Sequence, residues 1–314
     1  MNTATKLSGF ALGLAAVFGA AYGAGHLAGP VTPTAETRHD PAGTHDPGDP
    51  AGTHDPGTQG ATAHLPGGLL VSDRGYTLRP VDAPAGQFAF RITGPDGAPV
   101  TRYDVAHDKR MHLIVARRDL SGFRHVHPEL DAGGTWRVDS PLAGPGVWRA
   151  FADFTPSGGE PLTLGVDVTR PGALASRPLP TPATSTTVDG YTVSLAGTAQ
   201  PGRTSPLTLT VSRDGRPVTD LEPYLGAYGH LVALRQGDLA YLHVHPEGGP
   251  GDGRTPAGPA VTFSAEVPST GTYRLYLDFR HGGAVHTAEF TVVAGDPIDP
   301  TPTAGPGGPG HTHG

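Results

Sequence analysis

His112-Leu-Ile-Val-Ala-Arg-Arg-Asp-Leu-Ser-Gly-Phe-Arg-His125-Val-His127-Pro128-Glu129 and His230-Leu-Val-Ala-Leu-Arg-Gln-Gly-Asp-Leu-Ala-Tyr-Leu-His243-Val-His245-Pro246-Glu247 are two copies of one pattern: a histidine, twelve residues, then His-x-His-Pro-Glu. In each copy a hydrophobic run follows the first histidine and a turn-forming stretch precedes the second, which reads as a β-hairpin. Successive residues of a strand face opposite sides, so His125 and His127 share a face, as do His243 and His245. Thirteen residues separate His112 from His125, and an odd separation across an even-length loop puts both on one face. In the second copy a turn centred on Gln236-Gly237 pairs His230 directly with His243, with Cβ atoms about 4.5–5.5 Å apart. That spacing suits two imidazole nitrogens at about 2.0–2.1 Å from one ion. One metal site per copy is therefore expected: His112, His125 and His127 in the first, His230, His243 and His245 in the second.

The repetition extends outward from these blocks. Gly75-Tyr76 matches Gly190-Tyr191, and Asp96-Gly97-Ala98-Pro99-Val100 matches Asp214-Gly215-Arg216-Pro217-Val218. Beyond an insertion in the second copy from Gly248 to about Gly258, Gly146-Val-Trp-Arg-Ala-Phe-Ala-Asp153-Phe154 matches Gly271-Thr-Tyr-Arg-Leu-Tyr-Leu-Asp278-Phe279. Short alternating runs such as Gln87-Phe-Ala-Phe-Arg-Ile, Leu207-Thr-Leu-Thr-Val and Ala288-Glu-Phe-Thr-Val-Val alternate with Gly, Pro and Asp turns, and no stretch has a convincing helical period. The expected fold is all-β: two tandem Ig-like or cupredoxin-like β-sandwiches at residues 69–170 and 188–294, joined by a linker at 171–187. Trp136, Trp148, Tyr273 and Phe279 are expected in the cores.

Glycine and proline, 47 and 34 residues in all, are densest before residue 69 and after residue 294. Residues 31–68 repeat Thr-His-Asp-Pro-Gly and lack the apolar residues for a core, so they read as a disordered tether; residues 295–314 read as a similar tail ending His311-Thr-His313-Gly314. Lys6 precedes an uncharged run from Leu7 to Gly25, which reads as a transmembrane signal anchor, or as a signal peptide cut near Gly23. Either places the bulk of the chain outside the cytoplasmic membrane, with the N-terminus inside.

A net charge of −7 and the lack of a long basic run remove electrostatic support for a nucleic-acid partner. There is no cysteine, and methionine occurs only at Met1 and Met111, so thiolate and methionine-rich copper(I) chemistry are excluded. Three neutral imidazoles without sulfur select copper(II) first, then zinc or nickel. Further ligands could come from His107, Asp153, Asp278 or His286. No nucleophile elbow, phosphate loop or paired acid and base accompanies the histidines, so an enzyme is not expected.

The blocks His112-Leu-Ile-Val, Leu120-Ser-Gly-Phe-Arg-His-Val-His-Pro-Glu129 and Arg149-Ala-Phe-Ala-Asp-Phe154 resemble extracytoplasmic, usually membrane-anchored proteins of high-GC actinobacteria known as secreted or heavy-metal-binding proteins. More distantly they resemble YtkA-like and other periplasmic copper-handling β-sandwiches. The resemblance covers both segments and implies metal handling at the surface. The alternative is an Ig-like structural or interaction module with incidental histidines.

Overall fold

A computed structural model describes residues 65–242 and 244–295 and the backbone of 297–298. The expected anchor, nearly all of the tether, His243 and most of the tail lie outside the described residues. Among the described residues no helix is long and apolar enough to cross a membrane.

Ten strands are described before Pro171: β1 (Ser72–Asp73), β2 (Tyr76–Val81), β3 (Gln87–Thr93), β4 (Tyr103–Asp104), β5 (His112–Arg117), β6 (Arg124–Val126), β7 (Glu129–Leu130), β8 (Thr135–Asp139), β9 (Gly146–Pro156) and β10 (Leu162–Arg170). They form two antiparallel sheets, in the orders β1-β2-β3-β8-β7 and β10-β9-β5-β6. After them come β11 (Ser185–Val188), β12 (Tyr191–Thr198), β13 (Thr204–Arg213), β14 (Arg216–Pro217), β15 (His230–Arg235), β16 (Tyr241–Leu242), β17 (Val244–Pro246), β18 (Ala260–Glu266), β19 (Gly271–His281), β20 (Ala284–Ala294) and β21 (Pro297–Ile298). Their sheets run β11-β12-β13-β18-β17 and β16-β15-β19-β20, the same two orders again. Two strands fall where linker and tail were expected: β11 begins at Ser185, and β21 pairs with β12. The matched Asp-Gly pairs sit in left-handed turns, with φ of 77° at Gly97 and of 51° and 72° at Asp214 and Gly215, a conformation that glycine and aspartate tolerate.

Each sandwich closes on its own core. Phe90, Trp136, Leu113, Val115, Trp148 and Leu164 fill the first, and Val193, Leu209, Phe263, Leu231, Tyr273 and Phe279 fill the second. A third apolar cluster lies between the halves. Ile114, Ala116, Phe123 and Phe151 of the first half meet Val232, Leu234, Leu239 and Tyr276 of the second. The Phe123 and Tyr276 rings stack at 4.0 Å and 7°, and Phe151 packs on Tyr241 at 5.7 Å. Phe123 and Tyr241 are counterparts in the repeat, as are Phe151 and Tyr276, so each aromatic meets the other half's counterpart. The halves therefore meet through the same patch on each, as subunits of a twofold dimer do.

This explains the composition of β5 and β15. Leu113-Ile-Val-Ala116 and Leu231-Val-Ala-Leu234 are apolar without alternation because one face of each strand enters its own core and the other enters the junction. The junction also takes in the end of the expected tether, where the Tyr241 N–H donates to the Gly67 carbonyl at 3.0 Å. At Gly68 a Cβ would come within 2.4 Å of the Phe151 ring, so only glycine fits there.

Candidate metal centre

The histidines stand on the junction face. β5 pairs with β6 in the register Leu113↔Val126 and Ile114↔His125, and with β9 so that His112 lies opposite Asp153. His112, Ile114, His125 and His127 thus share the side that looks at the second half. Pro128 follows the end of β6, and Glu129 then joins the other sheet through β7 and β8. A proline suits this switch because it has no N–H to leave unpaired.

The second hairpin departs from the expected register. β15 and β16 pair as Ala233↔Leu242 and Leu234↔Tyr241, which is two residues away from aligning His230 with His243. The loop is longer than a two-residue turn. The Asp238 carboxylate accepts from Arg235 Nε at 3.0 Å and from the Ala240 N–H at 3.0 Å, and Leu239 takes a left-handed φ of 61°. A shift of two residues preserves which face each side chain occupies.

In the first half the three histidines converge, and their ligand atoms lie within 4.8 Å of one another. In two of them the outer nitrogen is fixed. His112 Nε2–H donates to the Ala106 carbonyl at 3.0 Å, and His125 Nδ1–H donates to Asp278 Oδ2 of the second half at 3.1 Å. A carbonyl and a carboxylate only accept, so these bonds assign both protons to the outer nitrogens. The inner nitrogens, His112 Nδ1 and His125 Nε2, then face each other at 3.1 Å, each with a lone pair when the rings are neutral. Two ligands of one ion can keep that separation, since bonds of about 2.0–2.1 Å allow roughly 3–3.4 Å between nitrogens. His127 Nε2 is buried and has no hydrogen-bond partner. One nitrogen from each ring thus lies within reach of a shared ion, and an orphaned buried nitrogen carries a cost that a metal ion could remove.

Asp278 supports the triad from outside it. Its Oδ1 accepts from Thr287 Oγ1 at 2.6 Å and its Oδ2 accepts from His125, so both oxygens are engaged and the carboxylate orients the His125 ring. Asp153, its counterpart, accepts from Thr163 Oγ1 at 3.2 Å and from the Tyr241 hydroxyl at 3.4 Å. His230 mirrors His112, with Nε2–H donating to the Tyr224 carbonyl at 2.8 Å. His107, His230, Asp153 and His245 line, with the triad's His112 and His125, a cavity of about 230 Å³. His245 is exposed on β17, in the sheet that does not carry His230, and has interactions of its own. His286 belongs elsewhere: it bonds Asp189 at 2.8 Å and packs on Tyr191 and Phe279. Among the described residues one triad converges, and its support crosses between the halves; His243, and with it the expected second site, lies outside them. Hairpin spacing predicted the shared face; it carried no sign that Asp278 and His230 would come from the other repeat.

Burial makes the rings of His112, His127 and His230 reluctant to protonate. Desolvation, then the neighbouring His125 and His112, bring His127 down to about 3, and desolvation brings His230 down to about 4. In the unfolded chain these histidines take up protons near pH 6.5. Below that pH the unfolded state binds more protons than the folded one, so stability falls as pH drops from about 6.5 toward about 4. Metal-free protein should lose several degrees of Tm over that range. The His127→Gln variant should lose less, and an equal loss in both would remove His127 from the account.

Comparisons with known proteins add kinship. Among solved structures the chain has likenesses to the adhesin InvE of Yersinia pseudotuberculosis (15% identity, 75% of this chain, 61% of that one, TM-score 0.21) and to a protein from Corynebacterium diphtheriae described as membrane anchored (10%, 74% and 61%, TM-score 0.21). A marsupial T cell receptor follows (10%, 69% and 98%, TM-score 0.20). The chain spans 61% of the length of the first two. No curated protein matches the sequence. Residues 78–171 and 186–296, well over half of the chain, match the family described as a domain of unknown function, DUF8832, and the chain belongs to that family.

Proposed function

We propose that this chain is a metal-binding protein, tethered to the outer face of the cytoplasmic membrane, that buffers or hands over copper(II) or zinc through His112, His125 and His127. The observation that carries the reading is the pair of inner nitrogens, His112 Nδ1 and His125 Nε2, at 3.1 Å with their outer nitrogens already committed to acceptors. Something positive belongs between them. With His127 in the same group and no cysteine in the chain, the donor set favours copper(II) over zinc. The location outside the membrane rests on the Leu7–Gly25 run alone.

A proton is the competing occupant. An imidazolium at His125 would bridge His112 and Asp278 and act as glue between the halves, which is the interaction-module reading. Equilibrium dialysis at neutral pH separates the two. The metal reading expects one tight equivalent of copper(II) or zinc. It also expects Asp278→Asn to weaken that equivalent about 10–100-fold while keeping its stoichiometry, because the carboxylate orients His125. Absence of a retained equivalent in the unaltered protein would favour the proton.

A further inference from the structure

His107 has no place in the triad, and neither repetition nor turn geometry accounts for it. It lies in the turn closed by Ala106 N–H donating to the Lys109 carbonyl at 2.9 Å, where His107 and Asp108 take left-handed φ values of 48° and 60°. The second half builds the same turn between Tyr224 and Ala227, with φ of 53° at Leu225 and 76° at Gly226. Leucine therefore occupies the position corresponding to His107, and the turn's shape does not require histidine. Leu225 is buried, whereas His107 is exposed at the cavity.

The side chain has a partner across the junction. The His107 ring stands 5.5 Å from that of His230, 6.1 Å from that of His112, and His230 stands 6.4 Å from His125. Two imidazoles bound to one ion at about 2.0–2.1 Å have ring centres roughly 5 Å apart, the range also seen within the triad, at 4.9–5.3 Å. His230 Nε2–H is committed to the Tyr224 carbonyl, which leaves Nδ1 as its lone-pair nitrogen. The Ala106 carbonyl of the His107 turn also anchors His112, so one turn serves both places.

We propose that His107 and His230 form a second, weaker position for a divalent cation, in the cavity beside the triad and completed by water. This rests on the metal reading of the triad and adds a neighbour to it. Two imidazoles in place of three make it the weaker of the two.

Copper(II) itself is the probe, in the full chain, followed by electron paramagnetic resonance. The first equivalent should give an isolated copper signal. A second should add the half-field transition of two ions close enough for dipolar coupling. His107→Asn, whose replacement tolerates a left-handed φ, should lose the coupled signal and keep the first. His230→Gln should do the same. Persistence of the coupled signal in His107→Asn, or its absence from the unaltered protein at two or more equivalents, overturns the second position. Failure of even the first equivalent to survive dialysis would instead overturn the triad reading, and the second position with it.

Discussion

Converting His125 and His127 together to alanine is expected to abolish the tight metal equivalent, lowering affinity on the order of a thousandfold or more. Losing a single orienting partner outside a metal site costs about 10–100-fold, and two ligands out of three exceed that. The mode of failure matters as much as its size. Both side chains lie beside the junction, so circular dichroism must show the β signature unchanged before the loss counts. His245→Ala is the matched control, since His245 is exposed on β17, and it should leave the tight equivalent in place. A variant lacking His125 and His127 that still bound one tight ion would move the site to the second repeat. A second tight equivalent that disappeared in the His243→Ala, His245→Ala variant would restore one site per copy.

Tyr276→Ala should cost about 3–5 kcal/mol of stability, as truncation of a fully buried aromatic does. Tyr276 is completely buried in the junction, its ring stacked on Phe123, and its hydroxyl donates to the Leu120 carbonyl at 2.5 Å. Leu120 itself holds a left-handed φ of 64°, so the bond fastens a loop of the first half to a strand of the second. Tyr276→Phe removes only that bond and should cost about 1–2 kcal/mol, since a buried carbonyl is left without its donor. Urea unfolding measures both. The unaltered protein should unfold in one transition and Tyr276→Ala in two, because each half keeps its own core while the cluster joining them is lost. Tyr276 and Asp278 are two residues apart on β19 and face the same side. Loosening the junction should therefore also weaken the tight metal equivalent, by loosening the bond from His125 to Asp278. A cost below about 1 kcal/mol would show that the halves associate through other contacts.

Much was legible from residues alone because it depends on local periodicity. Alternation of two and Asp-Gly turns specify strands, and the matched blocks specify two sandwiches of one topology. The His-x-His spacing put His125 and His127 on one face, and hairpin parity added His112. The metal chemistry open to the chain also followed from composition, since without cysteine only imidazole could supply a nitrogen or sulfur ligand in number. What the tertiary structure decided was the other side of that face. The unbroken apolar runs Leu113–Ala116 and Leu231–Leu234 were the available sign that β5 and β15 are covered on both sides, yet a run of four cannot name what covers it. Which carboxylate orients which histidine is a contact across 153 residues, set by how two sheets pack. Sequence spacing describes neighbours along one strand or hairpin. The pairing of His125 with Asp278 and the approach of His107 to His230 arise only when the two copies close on each other, driven by the apolar patch they share.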